Sequence, residues 1–384
     1  MKKIVGILAA AAVLATSVFA ADVSAKVKLT GSLLDVGIPT TSGSATFSAF
    51  GLNPHRSHDW EPDLALSYSE DKVGAEIAFK TLNEWDSGEG ETSTNWKIWI
   101  KPIDVLKINF GCIGDSLNTE SIDHSNRIYN YDEWGYRMEF ASNGFTLAAA
   151  LHFAQGKNFL SQYKNANGAD SISIHSLAVY GQYAADFGTI KALLDVKTAS
   201  GEWANATEDF YELDPKTGEI KKTPAKAAAY TATPGNLFAG VGYNNAFGAF
   251  NLFVDAGMNI ELPEAGEGKI GLVADVDGKF AQDALYFEAY AKLTYDDLKA
   301  TKDKDPIAVM TIAKFAYQLD PCKVYVYFKD ENLLANKFTS TIKLGAEGSF
   351  GACGWNIWGQ IDTFPKAAAD KIAISVPVEF TVAW

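Results

Sequence analysis

The chain has 384 residues, with 33 Lys and Arg against 47 Asp and Glu, so its formal net charge is −14. This acidity argues against a nucleic-acid-binding protein, because such proteins neutralise phosphates with Lys and Arg. Hydrophobic residues make up 47% of the sequence, which excludes a disordered chain, and the 12% aromatic content with only 12 Pro favours β-structure.

The first twenty residues have the pattern of a secretory signal peptide. Lys2 and Lys3 form a positive start, a short apolar run follows, and Val18 and Ala20 stand at the −3 and −1 positions of a cleavage site. An uncleaved anchor is the alternative, but the apolar run is short for a membrane span. We expect cleavage after Ala20, which leaves residues 21–384 as one mature domain.

In the rest of the sequence, apolar and polar residues alternate along many segments. A period of two is the pattern of a β-strand with one apolar and one polar face, and Val73, Ala75, Ile77 and Phe79 are one example. The segments come in pairs, and each pair predicts a hairpin. The eight predicted turns lie at 70–72, 101–104, 142–144, 186–188, 244–245, near 283, at 320–321 and near 351.

The segments are about 9–12 residues long, which is the length of a tilted strand that crosses a bilayer. The hairpins are joined by longer links of mostly polar composition. These links cover roughly 83–93, 113–132, 155–172, 199–235, 260–267, 295–305, 331–337 and 364–370. Short turns at one end and long loops at the other are typical of outer-membrane barrels.

The strand count follows from the order of turns and loops. Sixteen strands form the eight hairpins, and one strand at each end, 27–34 and 372–384, brings the prediction to about 18, with 16 as the alternative. An even number agrees with bacterial barrels. The strand-like segment Ser44–Leu52 then falls inside the first long loop. If that segment belonged to the wall instead, a further strand would be missing from the count.

The predicted faces distinguish a membrane barrel from a secreted β-sandwich, whose apolar face points into a core. In a membrane barrel the apolar face meets lipid and the polar face lines water. The predicted pore-lining charges are Lys97, Lys107, Arg137, Glu139, Lys191, Asp255, Glu288, Lys292, Lys323, Lys343, Glu347 and Asp362. Aromatic residues at segment ends fit an interfacial girdle, namely Phe79, Phe145, Tyr183, Phe250, Tyr317, Phe328 and Trp384. We therefore predict an all-β fold, a transmembrane antiparallel β-barrel.

The last strand resembles the C-terminal assembly signal of Gram-negative-type outer-membrane proteins. The residues that carry the resemblance are Val376, Val378, Phe380, Val382 and Trp384. It implies recognition by the barrel-assembly machinery and residence in the cell outer membrane. Pro377 departs from the pattern, and because Pro cannot donate to a ladder, we expect a lost bond or a bulge at the closing seam. The hairpin 99–107 is also similar to spirochaetal, treponeme-like porin-type proteins.

One tetrapeptide matches an enzyme motif. Gly114-Asp115-Ser116-Leu117 has the sequence of the nucleophile block of GDSL-type esterases. That fold places its Ser at the start of a helix and its Asp and His late in the chain. Here the last His is His175, so no late Asp-x-x-His block exists. We predict an external loop and no catalytic residue.

The histidines and cysteines do not predict a metal site. His55 and His58 are close in sequence but have no third ligand nearby, and Asp123-His124 alone does not define a triad. The three cysteines, Cys112, Cys322 and Cys353, are far apart and have no zinc spacing. We expect no disulfide framework, metal or cofactor.

The sequence therefore predicts a porin-like channel for passive diffusion of small hydrophilic solutes and ions, with lipid around it. Two other functions stay open, which are an adhesin or surface antigen that uses the long loops and an outer-membrane barrel enzyme. Homo-oligomerisation also stays open, because trimers are common among porins but no interface is visible in the sequence. The wall charges have both signs and do not determine the ion preference.

Overall fold

The computed structural model describes residues 22–39, 45–51, 64–80, 93–117, 128, 130–153, 159–204, 210–213, 220–223, 229–300, 307–335, 339–363 and 371–383. No helix in this part of the chain is long and apolar enough to cross a bilayer. The predicted signal peptide, the pair His55 and His58, the segment Asp123-His124 and Trp384 all lie outside the described residues.

The described residues form 25 β-strands, because alternating, β-branched and aromatic sequences suit a pleated surface. In chain order they are β1 (Asp22–Pro39), β2 (Thr46–Gly51), β3 (Leu64–Ser69), β4 (Val73–Lys80), β5 (Ser93–Ile103), β6 (Leu106–Ser116), β7 (Asn130–Ser142), β8 (Phe145–Phe153), β9 (Leu160–Lys164), β10 (Asp170–Ile174), β11 (Ser176–Ala185), β12 (Gly188–Lys197), β13 (Ser200–Ala204), β14 (Phe210–Leu213), β15 (Ile220–Thr223), β16 (Ala229–Thr233), β17 (Gly235–Phe247), β18 (Phe250–Leu262), β19 (Ile270–Gln282), β20 (Leu285–Tyr295), β21 (Ile307–Gln318), β22 (Cys322–Asp330), β23 (Ser340–Phe350), β24 (Cys353–Thr363) and β25 (Lys371–Ala383).

One antiparallel sheet of nineteen strands makes the wall. Strand β1 pairs with β3, and pairing then proceeds through β4 to β8, β11, β12 and β17 to β25. Strand β25 pairs with β1, so the order of pairing returns to its first strand. The predicted all-β antiparallel barrel is confirmed. The total number of strands exceeds the predicted count of about 18, because the loops contain three further two-stranded sheets and β1 carries the extra strand β2.

The strand-like segment in the first loop forms strand β2. Its pairs run from Ser32↔Gly51 to Gly37↔Thr46, along the second half of β1. Strand β3 pairs instead with the first half of β1. The described residues Thr46–Gly51 therefore join the wall sheet beside β1 instead of lying wholly in a loop, while the other wall strands keep the alternation of turns and loops.

One predicted turn was wrong. The turn between β17 and β18 lies at Gly248 and Ala249 rather than at Asn244 and Asn245. Gly248 has a φ of +64°, which glycine adopts without strain. The two asparagines continue the ladder, and the amide of Asn245 donates to the carbonyl of Phe187 in the neighbouring turn. The polar side chain of Asn245 therefore bonds to the adjacent turn, and the sequence signal for a turn cannot distinguish this role from a turn position.

The two faces of the wall differ as a membrane barrel requires. On β8, Leu147 is 59% exposed, whereas its neighbour Ala148 is 3% exposed and points to the opposite face. The exposed face carries large apolar side chains, and the predicted girdle residues Phe145, Phe250 and Tyr317 are exposed on it. The other face carries most of the charges. This arrangement is the reverse of a soluble β-sandwich and agrees with an apolar surface that contacts lipid.

The seam between the first and last strands is irregular at Pro377. The pair Ser32↔Pro377 is followed by Asp35↔Ser375, so β1 has one extra residue at this point. On the other edge, Pro377 and Val376 take no part in the pairing with β24. The predicted bulge is confirmed, and its physical cause is the missing N–H of proline.

Candidate functional site

The inner face of the wall carries charged rows that cross neighbouring strands. On β4 to β7, Lys97 forms an ion pair with Glu76 at 3.1 Å, and Arg137 forms one with Glu139 at 3.2 Å. Lys107 lies directly across from Glu139 in the ladder, but its ammonium is placed over the ring of Trp99, 4.9 Å from the centroid. These predicted residues therefore share one sector of the inner face.

A second sector, on β12 and β17 to β20, is rich in carboxylates. Asp255 and Asp275 are direct cross-strand partners, and Lys292 is the next residue in the same row. On the other side of Asp255, Gly242 separates it from Lys191. All these residues except Lys292 are buried, and two long cations flank the two acids.

Two further acids lie closer to the short turns, Asp277 one row and Glu288 two rows from the pair of Asp275 and Lys292. Glu288 is 2% exposed, forms an ion pair with Lys279 at 3.4 Å and accepts a hydrogen bond from the hydroxyl of Tyr286. Asp277 is 1% exposed and lies next to Glu288. Sequence reasoning missed Asp275, Asp277 and Lys279, although extending the alternation of β19 by three residues would have found all of them.

The third sector, on β21 to β24, is mainly basic. Lys323 forms an ion pair with Glu347 at 2.8 Å. Lys343 lies over the rings of Tyr327 and Trp358, at 5.0 and 5.6 Å from their centroids. Lys314, which sequence reasoning missed, lies over Tyr325 at 4.9 Å.

The remaining predicted inner-face acid, Asp362, lies toward the long loops. It accepts hydrogen bonds from Thr341 at 2.6 Å and from Gln360 at 2.7 Å. The predicted residues thus lie on the same face of the wall. They form three separate sectors and do not form one compact cluster.

Two apolar residues between β6 and β7, Leu117 and Ile128, lie against the inner face of distant strands. They are buried in one apolar cluster with Leu193, Phe238 and Val273. The last three belong to β12, β17 and β19, which are separated from β6 by β7, β8 and β11. Leu117 and Ile128 therefore contact the inside of the wall beyond β7, β8 and β11.

Two features hold Ile128 and Leu117 in place. The backbone N–H of Ile128 donates to the carboxylate of Asp275. On β17, a Cβ added to Gly240 would lie 2.6 Å from Cδ1 of Leu117, so any larger residue there would force that side chain to shift. We call Leu117 and Ile128, with the wall residues they contact, the docked connection. Sequence reasoning did not identify the docked connection. Its only signal in the sequence is that two apolar residues flank a polar segment, while a distant strand carries glycines.

Three external loops are joined at the long-loop end by the carboxylate of Glu264. Tyr230 donates to it at 2.6 Å, and Tyr163 and the backbone of Ala166 also bond to it. Burial and the adjacent carboxylate raise the pKa of Tyr230 to about 12, and the tyrosine hydrogen bonds lower the pKa of Glu264. Trp203 packs on Tyr230 with ring centroids 5.2 Å apart. These contacts hold the loops after β8, β12 and β18 together.

The enzyme motif has no esterase geometry. Gly114 and Ser116 end strand β6, and Ser116 pairs with Asn130 in the ladder rather than starting a helix. The next residue, Leu117, belongs to the docked connection. No group of three metal-ligating side chains occurs in the described part of the chain, and the three cysteines are free.

No protein-family model and no curated protein matches the sequence. Solved structures do match. OccK3 (OpdO) of Pseudomonas aeruginosa aligns over 97% of each chain with a TM-score of 0.52 and 10% identity. OccAB2 of Acinetobacter baumannii aligns over 95% of this chain and 98% of its own, with a TM-score of 0.50 and 8% identity. At such low identity the likeness concerns the fold, and the chain therefore has the fold of outer-membrane β-barrels.

Proposed function

We propose that this chain is an outer-membrane channel through which small hydrophilic solutes and ions diffuse passively. The observation that carries the proposal is the inversion of the wall, with an apolar exposed face and a charged inner face on a cycle of paired strands. A barrel of about 16–18 strands leaves an aqueous bore, whereas one of about eight does not.

The residues of the three inner-face sectors are proposed to line this bore, together with the docked connection that narrows it. Solutes would be sieved by the width at that connection and by the wall charges. The fold shared with OccK3 and OccAB2 supports a barrel of this kind.

The location and assembly of the protein follow from the same proposal. The signal peptide is removed after Ala20, and residues 21–384 insert as one barrel, with lipid on the apolar face. The barrel-assembly machinery recognises the last strand through Val376, Val378, Phe380, Val382 and Trp384. Described members of this set extend along β25, where Phe380 is exposed on the apolar face. The resemblance to spirochaetal porin-type proteins stays a prediction.

Single-channel recording in a planar bilayer tests the proposal. The purified, refolded protein should give stable conductance steps, and its electrophoretic migration should change on heating as for a folded barrel. A folded barrel that gives no steps would exclude the diffusion channel and leave an adhesin or an enzyme. A protein that is soluble without detergent would exclude the membrane location as well.

A further inference from the structure

The inner face does not expose its two signs of charge equally to the bore. The acids Asp255, Asp275, Asp277 and Glu288 are buried, and of the bases that the three sectors describe, Lys191 is the one that is similarly buried. The lysines of the other two sectors keep part of their surface exposed, with 32% for the side chain of Lys97 and 29% for that of Lys323. A wall that looks neutral by residue count is therefore asymmetric in the charges that reach water.

Side-chain length is one physical cause. An aspartate carboxylate stays close to the backbone of its strand, whereas a lysine extends its ammonium along an apolar stem into water. The other cause is the docked connection, since Leu117 and Ile128 lie against β17 and β19 in the acid-rich sector. The partner of Ile128 is itself one of the buried acids, Asp275.

Exposed ion pairs contribute little to this asymmetry. Lys97 pairs with Glu76, and Lys323 pairs with Glu347, so each pair places opposite charges at the same position. Such pairs have a small net field at a distance, and salt screens it further.

Lys107 and Lys314 are different from Lys323, whose ammonium also lies over a ring, that of Tyr286, because a ring holds each of them without a salt bridge to any described residue. Lys107 lies 4.9 Å from the centroid of Trp99, and Lys314 lies 4.9 Å from that of Tyr325. Neither lysine has an ion pair within 4.0 Å in the part of the chain that the structure describes. A ring attracts a cation through its quadrupole but carries no net charge, so it orients the lysine without neutralising it. The two lysines come from β6 and β21, on different sectors of the wall.

We propose that the bore is selective for small anions, such as chloride and simple carboxylates, and that the ring-held lysines Lys107 and Lys314 determine this preference. The inference rests on the proposed channel function and specifies its solute class. Fixed positive groups in a narrow water-filled passage raise the local concentration of anions and lower that of cations.

Reversal potentials in a potassium chloride gradient, and then in potassium acetate, test this proposal. The wild-type channel should pass chloride and acetate more readily than potassium. The double variant Lys107→Gln/Lys314→Gln should lower the anion-to-cation permeability ratio by about twofold or more. The double variant Lys107→Arg/Lys314→Arg, which keeps both charges over the rings, should retain the wild-type ratio.

One control separates bore charge from other charge. Lys299→Gln makes the same charge change in an external loop, where Lys299 pairs with Glu267 at 2.9 Å, and should leave the ratio unchanged. Each variant is first checked for heat-dependent migration, so that loss of folding is not mistaken for loss of selectivity.

Cation preference of the wild-type channel would overturn the inference while leaving the proposed channel function intact. So would an unchanged ratio in the Lys107→Gln/Lys314→Gln variant, or an equally large change in the Lys299→Gln variant. Absence of conductance steps from folded wild-type protein would overturn the channel function and the inference together.

Discussion

Replacing Leu117 by Ala should release the docked connection without unfolding the barrel. The side chain of Leu117 is fully buried among Leu193, Phe238 and Val273. Removing a buried leucine side chain costs about 2–5 kcal/mol, since the lost transfer energy adds to that of the cavity left behind. Because about 1.4 kcal/mol corresponds to a factor of ten, the ratio of docked to released connection should fall by about 30-fold or more.

Single-channel conductance measures this change directly. If the docked connection narrows the bore, Leu117→Ala should raise the mean conductance and add fluctuations between levels. The wall ladders do not involve the side chain of Leu117, so heat-dependent migration should stay normal. Gly240→Leu should act in the same direction, because a Cβ at that position already collides with Leu117.

A matched control is Leu298→Ala, since Leu298 is 47% exposed at the long-loop end of the wall. It removes the same atoms without opening a buried cluster, and conductance should not change. A folded Leu117→Ala channel with wild-type conductance and noise would refute the reasoning, because the docked connection would then not limit the current.

Three other perturbations address the loops, the wall and the seam. Glu264→Gln should weaken the junction of the three loops and increase their cleavage by protease in the folded protein. In the wild type, the same loosening should occur as the pH falls through the lowered pKa of Glu264. It should occur again as the pH rises from about 10 through the pKa of Tyr230 at about 12. Tyr290→Phe removes the donor to Asp275 at 3.0 Å and should lower the free energy of unfolding in urea by about 1–3 kcal/mol, since a buried carboxylate oxygen loses its partner; an unchanged midpoint would contradict this assignment. Pro377→Val restores an N–H at the seam and should raise that free energy by about 1 kcal/mol, whereas a loss of stability would show that the bulge needs proline.

The sequence was sufficient for the architecture because strand periodicity is local. Alternation along segments such as Val73 to Phe79 indicates a strand and its two faces without any knowledge of its neighbours. The order of short turns and long loops then predicts an antiparallel wall. Where a local signal was ambiguous, as at Asn244 and Asn245, the prediction failed, since a polar pair can serve a turn or bond to the next turn.

The contacts and burial of the residues on the inner face depend on the tertiary structure. Nothing local to Leu117 or Ile128 shows that they contact Phe238, because the contact depends on how the wall curves and on glycines more than a hundred residues away. The burial of Asp255 and the placement of Lys107 over Trp99 are likewise relations between different strands. The sequence by itself determined which residues are charged and which face of a strand they occupy. Only the tertiary structure decided which of those charges reach the water of the bore, because exposure depends on packing between parts of the chain that are distant in sequence.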